Sequence, residues 1–194
     1  MTTSIKTSPK ERKLGFRVLF LAMFAIGTGQ TLFIAVLPPY ARGLGLSEVQ
    51  VGFIFSLSAL GWMIMSPFWG RKSDFIGRKS IIILGLLVYA FTTILMGLEF
   101  RLNELGYINL STLFGLLIFT RGCYGFLGSG AHSASMAYVA DRTTEKERSG
   151  IMAVMGSAFA ISGIVGPGLA SAAVMLGPLV PYFLLVLLQH LLLY

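Results

Sequence analysis

Apolar residues run along this chain in long blocks, without the short alternation of a half-buried strand. Uncharged stretches cover residues 18–41, 49–70, 80–98 and 149–194, and a further apolar region surrounds Arg121. A helix needs about 20 predominantly apolar residues to cross the hydrocarbon of a bilayer, and these blocks are of that order or longer. The pattern predicts an all-α, polytopic membrane protein.

Local signals set the expected boundaries. A first helix is expected from about Arg17 to Pro39, ended by Pro38-Pro39, because neither proline donates a backbone hydrogen bond. It is longer than a signal-peptide core and lacks an A-x-A site, so it reads as a permanent span. Ser47 and Gln50 have capping-box spacing and open a second helix to about Trp69. A third is expected over Ser80 to Leu98, and a fourth from near Asn109 through Arg121 to about Val139. Thr144 and Glu147 repeat the capping spacing before a fifth, which ends near Leu176. Gly177-Pro178 and Pro181 then supply a turn into a sixth helix from Val180. The domain organisation is a basic tail over residues 1–16 and a six-helix bundle over 17–194. The stretch from Val180 onward holds about 15 residues, or about 22 Å at 1.5 Å each, so the last helix reads as truncated.

Composition agrees, with 55% hydrophobic and 12% charged residues against about 25% charged in a typical soluble domain. The formal charge of +7 is not a nucleic-acid footprint, because the basic residues sit in the leading tail and short loops without an aromatic-interleaved face. Lys6, Lys10, Arg12 and Lys13 lie in the leading tail and Arg17 at its junction with the first helix, four more lie between helices two and three, and three between four and five. The alternate loops hold only Arg42 and Arg101. The positive-inside rule therefore puts the amino terminus and the Arg71 to Lys79 loop in the cytoplasm, and the polytopic helical chain is expected in the cell inner (plasma) membrane. The lone Cys123 lies in an apolar segment and can form no internal disulfide.

Between helices two and three the chain reads G-x-x-x-D-x-x-G-R-K over Gly70, Asp74, Gly77, Arg78 and Lys79. Gly70 and Gly77 permit a tight reversal with close helix approach. Asp74 accepts charged hydrogen bonds and Arg78 can fork onto a carboxylate, so the loop can latch two helices. This spacing resembles the signature loop of the major facilitator superfamily. The resemblance implies a charge network from Asp74 and Arg78 to Asp141 at the end of helix four, biasing an outward-facing state. Phe75 stands where the family usually has a basic residue, which implies a looser latch.

Arg121, followed by Gly122, Gly125, Gly128 and Gly130, resembles the family's intramembrane arginine with its glycines. An arginine at such depth costs several kcal/mol unless it faces polar groups or a wet cavity, so Arg121 is expected to point inward. At 100° per residue His132 falls near the same face, about 16 Å further along, with Gly125 between. This suggests a substrate or proton pathway of Arg121, Gln30, Gly125 and His132. Packing is the alternative role for His132, and a helix–helix hydrogen bond for Gln30. In helix five, Gly163, Gly166 and Pro167 with Ser162 and Ala170 partly resemble the glycine-proline motif of the family's drug:proton antiporters, while small residues four apart equally suit helix packing.

The resemblance implies a secondary transporter that exports a small-molecule substrate by alternating access, with protons as coupling ion, in a lipid bilayer and together with a second six-helix half. The competing expectation is a truncated half without transport of its own. No Asp or Glu falls well inside the helices as bounded above, so this half offers a cationic drug no countercharge. No catalytic residue, metal site or cofactor is expected, since neither G-x-S-x-G nor H-E-x-x-H nor clustered carboxylates occur, and the chain reads as no enzyme.

Overall fold

The computed structural model describes residues 8–175. Five helices fill them: α1 Pro9–Gly43, α2 Glu48–Ile76, α3 Arg78–Glu104, α4 Leu110–Asp141 and α5 Glu145–Val174, with no strand among the described residues. All five are long and apolar enough to cross a membrane, and the chain is a multi-pass membrane protein. The sixth helix expected from Val180, the turn at Gly177-Pro178 and His190 lie outside the described residues.

The first helix differs from expectation at both ends. It begins at Pro9 because Ser8 closes a full capping box, with the Glu11 N–H donating to Ser8 Oγ at 3.3 Å and the Ser8 N–H donating to Glu11 Oε2 at 2.9 Å. Lys10, Arg12, Lys13 and Arg17 therefore ride on a helix and not on a preceding tail. Pro38-Pro39 does not end α1, which continues to Gly43. The prolines forfeit two donors, but the surrounding turn is held by its neighbours. Leu37 and Ala41 are fully buried, Tyr40 meets the edge of Phe100 at 4.9 Å, and Arg42 Nε donates to the Pro38 carbonyl at 3.2 Å. The chain turns just afterwards, at Gly45 with φ 105°.

The Ser47–Gln50 capping box opens α2 as expected, but the helix runs past Trp69 to Ile76. Most of the signature segment is thus helical. The reversal is confined to Gly77, whose φ of 101° an L side chain rarely adopts. Gly70 takes no part in that turn, and a Cβ there would meet only ordinary contact with Ser133, so it does not serve close helix approach either. Asn109 caps α4 by accepting from the Thr112 N–H at 2.8 Å. Within α4, Tyr124–Gly128 opens into a π-helical turn that the sequence reading did not foresee.

Small residues let the spans approach closely. In lipid, packing and interhelical hydrogen bonds replace the hydrophobic effect as the drive for association. Packing of α1 on α5 shows both. Thr31 Oγ1 donates to the Ser162 carbonyl at 2.7 Å, Ser162 Oγ donates to the Phe24 carbonyl at 2.9 Å, and Gly166 leaves no room for a Cβ against the Thr28 and Leu32 backbone. α2 and α3 flank α4. Apolar side chains such as Met63, Phe91, Phe119 and Ile164 remain exposed on the outside of the described bundle.

Candidate functional site

Arg121 lies about a third of the way along α4 and is buried at 6% exposure. Its Nη2 donates to Gln30 Oε1 of α1 at 2.7 Å, and Gln30 Nε2 donates in turn to the Tyr124 hydroxyl. The guanidinium stands over Phe33 at 4.1 Å from the ring centroid, with Tyr124 at 4.9 Å and Phe55 at 5.9 Å. Cation–π contacts of this kind contribute about 0.5–2 kcal/mol each, which offsets part of the cost of holding the charge. Of the residues expected on a pathway, the structure therefore brings Arg121 and Gln30 together, and Tyr124, which the sequence reading did not name, stands beside them.

His132 is reached indirectly. Its ring lies 5.8 Å from Trp62 and 5.4 Å from Phe159, and Trp62 lies 6.1 Å from Tyr124. The aromatic string from Tyr124 through Trp62 joins the arginine to the histidine, replacing the straight helical face drawn from a 100° step. The π turn between the two residues alters that step. Gly125 serves close packing of α4 on α2. A Cβ on it would meet the Ser58 backbone, with Cα at 2.9 Å, and Trp69 Nε1 donates to the neighbouring Phe126 carbonyl at 2.7 Å.

The second cluster gathers where α2 and α4 end and α3 begins. Arg78 Nε donates to Asp141 Oδ2 at 2.9 Å, its Nη2 pairs with Asp74, and its Nη1 donates to the Gly70 carbonyl at 3.0 Å and to Ser73 Oγ. One guanidinium, itself largely buried, thus ties α3 to α2 and to α4. The position of Arg78 follows from Gly77, since reversing the chain in one residue sets the arginine directly beside the last turn of α2. Lys79 is exposed and forms no ion pair among the described residues. At this same end Arg12 of α1 forks onto both oxygens of Glu147 at 3.1 and 3.3 Å, a clasp between α1 and α5 that the loop motif does not contain.

In the α5 motif, Gly166 packs on α1, but Gly163 does not. Gly163 is exposed and a Cβ there would meet nothing within 4 Å, because it lies on the face away from α1. Pro167 shares that exposed face and sits inside α5 without ending it. The expectation that no carboxylate lies inside the helices is also overturned. α3 continues to Glu104, so Glu99 is within it, 2% exposed, and accepts from Thr120 Oγ1 of α4.

The family model of the Major Facilitator Superfamily matches residues 19–192. Multidrug resistance protein 2 of Bacillus subtilis is 33% identical over 179 residues, which is 92% of this chain and 42% of that protein. Multidrug resistance protein 1 of the same organism is 29% identical, covering 85% of this chain and 38% of its own length. Quinolone resistance protein NorA of Staphylococcus aureus is 25% identical, covering 86% of this chain and 40% of its own. The chain spans about two fifths of the length of these curated relatives.

Proposed function

Since this chain belongs to the Major Facilitator Superfamily, we propose that it forms the amino-terminal half of a proton-coupled exporter of small drug-like solutes. The relatives named for multidrug and quinolone resistance support efflux, and the bundle supplies the parts it needs. Substrate meets Arg121, Gln30 and Tyr124, and a second six-helix half completes the cavity and rocks against this one. The ends of the spans that carry Arg12, Arg78 and Asp141 face the cytoplasm, in line with the excess of Lys and Arg there. The Arg78–Asp74–Asp141 network holds those ends together and opens once per cycle. Gly166 sets how closely α1 and α5 approach.

One observation carries this reading. A buried arginine that donates to a glutamine of another span, amid three aromatic rings, is costly to place in a bilayer, and intramembrane charges of this kind mark substrate or ion pathways. The test is expulsion of a fluorescent aromatic dye from cells producing the protein. Export above that of vector controls, lost in Arg121→Ala at equal membrane abundance, is the expected result.

A further inference from the structure

Glu99 has one satisfied oxygen and one that is not. Its Oε1 accepts from Thr120 Oγ1, while Oε2 is buried with no hydrogen-bond partner among the described residues. The carboxyl lies about 7 Å inside the end of α3, and Thr120 about 15 Å inside the start of α4, at 1.5 Å per residue. An ionised carboxylate in such a seam needs a cation or several donors to offset its desolvation.

Among the described residues, the charged groups at this end of the packed helices are committed elsewhere, and Tyr107 of the loop between α3 and α4 is exposed. Arg42 of α1 pairs with Glu48 of α2 at 3.2 Å. Arg101 of α3 pairs with Glu104 at 3.1 Å, and Tyr40 of α1 donates to the same Glu104. Arg121 and Tyr124 of α4 are turned toward Gln30 of α1. One hydroxyl donor is all that Glu99 receives among the described residues.

We propose that Glu99 is a proton-binding site of the bundle, a neutral carboxylic acid while α3 and α4 are closed on it, which releases its proton when that seam admits water. The step is balanced: the carboxyl O–H bond breaks, the proton passes to water, and the carboxylate left behind is stabilised by the same water. Cys123 lines a groove between α3 and α4 with Thr92 and Thr120, so a thiol reporter already sits on this seam. The proposal deepens the transport reading by naming a proton carrier, but its test needs no transport.

In protein reconstituted into phospholipid vesicles, infrared spectroscopy at neutral pH should show a carboxylic-acid carbonyl band. That band should be lost in the isosteric Glu99→Gln and moved to higher frequency in Thr120→Val, where the hydroxyl donor is gone. Labelling of Cys123 by a membrane-permeant maleimide is the second readout, taken as the ratio of wild type to Glu99→Gln at each pH so that thiol ionisation cancels. This ratio should rise with pH as Glu99 ionises and the seam loosens. A band equally strong in Glu99→Gln, no such band in wild type, or a ratio flat with pH overturns the proposal. If the infrared and labelling results hold while no dye is exported, the transport reading fails and the proton site stands.

Discussion

Arg121 and Gln30, ninety-one positions apart in the chain, meet at 2.7 Å and join α4 to α1 inside the bundle. Hydrogen bonds to charged groups contribute about 1.5–3 kcal/mol, and breaking one here leaves the Gln30 carbonyl without its cation. Arg121→Ala should therefore lower dye export by at least about tenfold, the equivalent of about 1.4 kcal/mol. Arg121→Lys should restore only part of it, because an ammonium cannot reproduce a planar guanidinium stacked on Phe33. Export rates normalised to membrane abundance check both.

The Arg78–Asp141 pair should couple weakly in stability and strongly in function. Both carboxylates of the network are half exposed, so a double-mutant cycle of Arg78→Ala and Asp141→Ala on thermal unfolding should give about 0.2–1 kcal/mol. Asp74→Asn should impair export while leaving membrane insertion intact. Unchanged export by Asp74→Asn would count against the latch.

Two glycines of α5 should respond in opposite ways to alanine. Gly166→Ala forces a methyl into the α1 backbone and should destabilise by about 1–3 kcal/mol, as overpacking does. Gly163→Ala meets open space and should be neutral or raise stability by up to about 1 kcal/mol, the helix-propensity gain over glycine. Melting temperatures of the two variants in one detergent decide this.

At the π turn, Gly125→Ala should be more damaging than Gly122→Ala. The first drives a Cβ against the Ser58 main chain, whereas the second meets only the flexible end of Leu57 at 3.5 Å. A melting temperature for Gly125→Ala no lower than that of Gly122→Ala would remove the packing account of this glycine.

Helix number within the described residues, the Ser47 cap, the start of α4 near Asn109 and the inward position of Arg121 were all legible in the sequence, because each rests on local chemistry. What was missed needed tertiary contacts. Pro38-Pro39 reads as a stop unless one knows that Leu37, Tyr40 and Ala41 pack on both sides of it. Ending α3 at Leu98 hid Glu99, whose charge resembles that of the Arg101–Glu104 loop edge until Thr120 of another helix is seen beside it. The π turn leaves no composition signal beyond its glycines, so the 100° step carried past it misjudged how Arg121 and His132 relate. The Arg12–Glu147 clasp was invisible because residues 9–16, read as part of a basic tail, belong to α1.

The most direct measurement places the purified protein in vesicles, imposes a proton gradient and follows accumulation of a fluorescent aromatic dye. The account predicts gradient-driven accumulation that collapses with a protonophore and is lost in Arg121→Ala. Accumulation indifferent to the gradient, or equal in wild type and Arg121→Ala, would contradict it.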